Sequence, residues 1–124
     1  MSDHNSKTLN ASELAQFTGS ENWYCHPINR KVLFTDGAKY VADQAGAYWL
    51  LDEIAIIQPC DTRLAAEEFQ VWTLIVNADH SAILTCDDGN GRVIFSKQIP
   101  YTDFPAEGIK LYYTNGTILL PREY

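Results

Sequence analysis

What this chain lacks narrows the field before any motif is read. Positive charge is scarce: nine Lys and Arg stand against sixteen Asp and Glu, for a formal net charge of −7. A general nucleic-acid binder needs clustered cations to displace counterions from phosphate, so no nucleic-acid partner is expected. An anionic membrane surface is disfavoured for the same reason. The acids do not form the dense rows of a DNA mimic either. They run no longer than the pairs Asp52-Glu53, Glu67-Glu68 and Asp87-Asp88, which reads as ordinary solubility. Cysteine is limited to Cys25, Cys60 and Cys86, an odd set without close spacing. A disulfide framework is therefore not expected, and three structural, slowly reacting thiols in a reducing compartment are. No stretch reaches the roughly 18–20 apolar residues of a membrane span. The opening "MSDHNSKTLN" has no apolar core of a secretory signal, so a cytoplasmic location is expected.

Recognisable catalytic patterns are missing too. There is no phosphate loop, dinucleotide fingerprint or nucleophile elbow. Cys25 and His26 are the nearest approach to a nucleophile and base, but neighbours on a strand point to opposite faces and cannot pair directly. Cys25, Cys60, Cys86, His26 and His80 are not spaced as close ligand pairs, so neither a metal nor a cofactor is expected. "CDDGNG" lacks the alternating acids and distal Glu of a calcium loop and reads as a hairpin turn.

What is present is enough apolar matter for one core. The 124 residues are 46% hydrophobic and 12% aromatic, the size and balance of a single domain that folds without staples. Residues 1–8 read as a disordered tail and 9–124 as one α+β domain. Asn10 and Glu13 form a capping box, with Leu9 and Leu14 as a staple, and Gly19 ends that first helix. "NWYCH" and "KVLFT" flank a turn as a hairpin. Thr35 or Asp36 opens a helix over "GAKYVADQA" that Gly46 stops. A third helix follows and ends before "QPC", because Pro59 disfavours helical geometry at Gln58.

After Pro59 the pattern turns to strands. "FQVWTLIVN" is apolar on both faces and predicts a central strand covered on both sides. "SAILTCDD", "RVIFSKQI", "IKLYYT" and "TILLP" follow, with Asn115-Gly116 as the strongest turn signal. The expectation is an antiparallel sheet of five to six strands packed with two to three helices from the N-terminal half.

The run "AGAYWLLDEIAIIQ" holds the main candidate site. At about 100° per residue, Leu50, Leu51, Ile54, Ala55 and Ile57 form the core stripe, with Tyr48 at its margin. Asp52 and Glu53 lie opposite and diverge to either side of Trp49 and Ile56. Two catalytic carboxylates would have to converge on one bond. These read instead as the charged rim of an apolar ridge, the kind of patch that binds a partner or a second copy. A rival reading is a small-ligand or enzyme pocket near "IPYTDFP", drawing on Tyr24, His26, Asp36, Tyr101, Asp103 and Phe104. It requires those side chains to meet in one polar cleft. The alternative for that loop is structural, with Thr102 or Asp103 capping the local turn and the aromatics plugging the core edge.

The blocks "FTDGAKYVADQAGAYWLLDEIA", "FQVWTL", "CDDGNG", "IPYTDFP" and the terminal "LLPREY" together resemble a family of small bacterial proteins known only as a domain of unknown function. The resemblance spans residues 12–124. It implies an accessory role of the sort carried on plasmids, phages and other mobile elements, and it brings no catalytic residue with it.

Overall fold

The computed structural model describes Leu9 and residues 22–124. The expected tail over 1–8 and the helix with Asn10, Glu13, Leu14 and Gly19 lie outside the described residues. Leu9 packs against the core.

The first hairpin pairs β1 (Trp23–Cys25) with β2 (Leu33–Thr35), Tyr24 standing opposite Phe34. Helix α1 (Asp36–Ala45) begins at once. Thr35, not Asp36, is its cap, and the Thr35 side chain accepts from the Ala38 N–H. Gly46 ends it with φ at 61°, a left-handed conformation that costs glycine little.

Helix α2 (Tyr48–Cys60) runs through Pro59, three residues past its expected end. Pro59 has no N–H to give, which would leave the Ala55 carbonyl without its helical partner. Asn29, in the β1–β2 turn, donates its side-chain amide to that oxygen at 2.8 Å. A tertiary contact thus replaces the bond that proline removes. A short helix α3 (Thr62–Ala65), capped by Asp61, leads into the sheet.

Four long strands follow: β3 (Phe69–Val76), β4 (Ala82–Asp87), β5 (Val93–Ile99) and β6 (Ile109–Thr114). A two-residue turn at Asn115-Gly116, both with positive φ, reverses the chain into β7 (Thr117–Leu119). The sheet order is β1-β2-β7-β6-β3-β4-β5. The class is α+β, with seven strands among the described residues where five to six were expected. Three strands at one end are only three residues long, near the limit of what a pattern reveals. The β2–β7 pair is parallel. Three helices and four strands separate them, ample chain for a parallel return.

The helices pack on one face of the sheet. Gln70, Trp72 and Leu74 of β3 are buried there, with Leu84 and Cys86 of β4, Leu111 of β6 and Ile118 of β7. Opposite lie Phe69, Val71, Thr73 and Ile75, and this side opens from a buried Val71 to Ile75 at 53% exposure. The expectation that β3 is covered on both faces is therefore corrected. A pattern shows that both sides are apolar, not which of them another element covers, and among the described residues only one side carries helices.

The covered face carries polar groups that the stripe pattern passed over. Gln58, in the middle of the buried side of α2, and Gln70 exchange amide bonds at 2.9 and 3.1 Å. Gln70 also accepts from the Trp72 indole at 2.9 Å and donates to the Leu64 carbonyl at 3.0 Å. Buried amides cost little only when partnered in this way.

Candidate functional site

The outer face of α2 is built as its periodicity predicts. Trp49 and Ile56 lie one above the other, seven residues apart, with Asp52 and Glu53 between them on either side. Ile56 is 40% exposed, while Trp49 is half-buried and rests against the core. Each acid is tied to a different element. Glu53 accepts from the Lys97 ammonium on β5 at 2.6 Å. Asp52 pairs with Nε2 of His26, just past β1, at 2.8 Å. The two carboxylates diverge, and the helix between them is clamped to both ends of the sheet.

The His26–Asp52 pair resembles half of a catalytic relay, and its hydrogen bonds decide otherwise. His26 is buried, and its Nδ1 accepts from the backbone N–H groups of Ile28 and Asn29 at 3.2 and 3.1 Å. An accepting Nδ1 places the proton on Nε2, which donates to Asp52. Both ring nitrogens are occupied, so neither can take a proton from a nucleophile. Cys25 points elsewhere, its thiol donating to the Arg30 carbonyl at 3.1 Å. Histidine, Asn29 and the freed Ala55 carbonyl together staple the β1–β2 turn to α2.

Ile28, in the β1–β2 turn that this staple fixes, is 67% exposed. Asp52, Glu53, Ile56, Ile57 and Cys60 line a shallow depression of about 180 Å³. Small-molecule sites usually begin near about 300 Å³, so this surface suits a side chain of another protein better than an enclosed ligand.

The residues of the rival pocket do not converge. The Tyr24 hydroxyl donates to Asp36 at 2.9 Å, and Asp36 also accepts from Asn22. That hydrogen bond, the first of its causes, raises the tyrosine above its ordinary range. Beside them Asp43 accepts from Lys39 at 2.8 Å and from Tyr48 at 2.6 Å, and these two bonds hold its carboxyl below the usual range. Tyr101 and Asp103 are far off, in the loop after β5. Thr102 N–H bonds the His80 carbonyl in the β3–β4 turn, and the Tyr101 ring lies 5.9 Å from that of His80. Five strand spacings separate β1 from β4, about 24 Å. Inside the loop the residues alternate: Thr102 and Phe104 are buried, Tyr101 and Asp103 exposed. Thr102 accepts from the Phe104 N–H, so the loop caps itself as expected, but of its two aromatics Phe104 alone plugs the core and Tyr101 stays exposed. Among the described residues no three His, Cys, Asp or Glu side chains gather as metal ligands would.

Pattern reading missed the terminal Glu123. Its buried carboxylate accepts from the Thr35 hydroxyl at 2.7 Å, the Leu120 N–H at 2.8 Å and the Gly37 N–H at 3.0 Å. It sits at the N-terminus of α1, where the helix dipole favours an anion. Gly37 is needed because a Cβ there would lie 2.6 Å from the Glu123 carboxyl carbon. The charge in "LLPREY" was the available signal, since an acid rarely ends an apolar run without a partner.

Each block that set this sequence apart now has a place: "AYWLLDEI" is the clamped helix, "IPYTDFP" the self-capped loop, and "LLPREY" the lock on α1. No curated protein and no solved structure matches the chain. One family model does, over residues 8–124, and by that match the chain belongs to the family of unknown function DUF6876.

Proposed function

We propose that this domain works by binding and not by catalysis, as a cytoplasmic accessory module of a bacterial mobile element. In this reading the outer face of α2 holds a protein partner or a second copy. The observation that carries it is the apolar surface of Ile56 and Ile57 beside acids already committed to His26 and Lys97. Groups held in place lose little entropy on binding, and a ring of fixed polar groups around an apolar centre is how interface anchors are set. Trp49, half in the core, stiffens the base of that patch. The exposed thiols of Cys25 and Cys60 fit a reducing compartment.

Cys60 lies on the same face and offers the test. In a Cys25→Ser background, a photo-crosslinker attached to Cys60 should capture a defined partner, or a second copy, in lysate of the source cells. Ile56→Glu should abolish capture with the circular dichroism spectrum unchanged. Equal labelling of many proteins, indifferent to Ile56→Glu, would reject this surface.

A further inference from the structure

The sheet face that turns away from the helices is the second surface without an assigned role. Its outward positions on β3, β4, β5 and β6 follow from the strand registers, and among them only Asp87 and Lys110 are charged. An antiparallel face that meets water normally alternates to polar and charged residues. Here the central positions are Val71, Thr73, Ile75, Ile83 and Thr85. Phe69 and Tyr112 cover one end, each edge-to-face with the ring of Tyr124 at 5.3 and 5.7 Å. Among the described residues no helix packs on this face.

We propose that this face is a homodimer interface, in which the sheets of two copies pack against each other about a two-fold axis parallel to β3. The occupant is a second copy because the two charges are placed for one. Thr73 of β3 stands opposite Lys110 on one side and Thr85 on the other, with Asp87 two residues further along β4. The axis lays β6 of each copy over β4 of the other, so Lys110 comes over the Thr85–Asp87 stretch of its partner. Two residues along a strand are about 7 Å, within reach of a lysine across an aligned sandwich about 10 Å thick. Lys110 makes no ion pair among the described residues, and Asp87 uses only one oxygen, toward the Gly89 N–H. The symmetry makes that pair twice and sets Ile75 against Ile75. A lone partner of unrelated sequence would have no reason to match one cation and one anion at that spacing.

The area is small. Four strands about 4.8 Å apart and some 20–25 Å long present roughly 400–500 Å² per copy, about 800–1,000 Å² in all, below the roughly 1,200 Å² at which stable interfaces begin and in the range of transient ones. The dimer is therefore weak and dissociates on dilution.

Sedimentation velocity from about 1 to about 500 μM spans the range that such an area implies. The wild-type mass should rise from 14.0 kDa toward twice that value. Ile75→Lys should weaken association at least about tenfold while the thermal melt of dilute protein is unchanged. Lys110→Asp and Asp87→Lys should each weaken it, and the double swap should recover it, a readout that misfolding cannot imitate. Ile56→Glu, on α2, should leave the dimer intact, which separates this interface from the partner surface proposed above. A monomer at every concentration overturns the proposal, as does a dimer that survives Ile75→Lys or is dissolved by Ile56→Glu. Failure of the charge swap to recover association overturns the two-fold arrangement.

Discussion

The two faces of the sheet obey different rules. On the covered face polar groups are few and every buried side-chain nitrogen or oxygen among the described residues has a partner. Gln58, Gln70, Trp72, Thr35 and Glu123 are held in one arrangement, since any slip would leave a buried group unpaired at about 1–3 kcal/mol each. On the other face most residues are apolar or hydroxylated, with Asp87 and Lys110 as the charges on β3 to β6, and among the described residues no helix fixes their neighbours. The first face specifies the fold; the second is free to be used. Function in this protein is therefore to be sought where side chains are half-exposed, not where they are most tightly bonded.

The strongest way to break that contrast is to remove the lock at Glu123. Glu123→Ala should destabilise the fold by about 3 kcal/mol or more, because the Thr35 hydroxyl and the N–H groups of Gly37 and Leu120 lose their shared acceptor. A urea midpoint near wild type would mean that the carboxylate is ornamental and the covered face less exacting than described.

The three thiols sample the same contrast from within. Cys86 lies on the covered side of β4, and burial, then the charges of Asp87 and Glu67, push its thiol up to about 12. Cys25 and Cys60 are exposed, which corrects the expectation of three protected cysteines. With a colorimetric thiol reagent at neutral pH, two equivalents should react at once. The third should be at least about a hundredfold slower, reacting as the chain opens. Three fast equivalents would show that the covered face breathes.

The smallest effect distinguishes the two acids of α2. Glu53→Gln removes a half-exposed pair with Lys97 and should cost under about 0.5 kcal/mol. Asp52→Asn weakens a bond to a fully buried imidazole and should cost about 1 kcal/mol. Equal midpoints for the two variants would return Asp52 to the status of a mere rim.

Much of the architecture was legible because its signals are local. Helices α1 and α2, the stop at Gly46, the first hairpin and the Asn115-Gly116 turn follow from periodicity and turn chemistry within a few residues. The divergence of Asp52 and Glu53 was legible too, as it is a property of helical geometry alone. What the pattern could not contain is anything that joins distant residues. Pro59 stays helical only because Asn29, 30 positions earlier, satisfies Ala55; the length of α2 is decided by the β1–β2 turn. The candidate pocket failed for the same reason, because Tyr24 and Tyr101 were grouped by chemistry and the strand order put most of a sheet between them. Glu123 finds Thr35 across 88 residues, and Gln58 finds Gln70 through the packing of α2 on β3. Composition, element types and the facing of each stripe were determined by the sequence alone, since they depend on backbone geometry repeated residue by residue. Which apolar face is covered and which polar group is paired were decided by the tertiary structure, because the described helices all close the same side of the sheet, and a long-range buried hydrogen bond forms only where two distant segments meet.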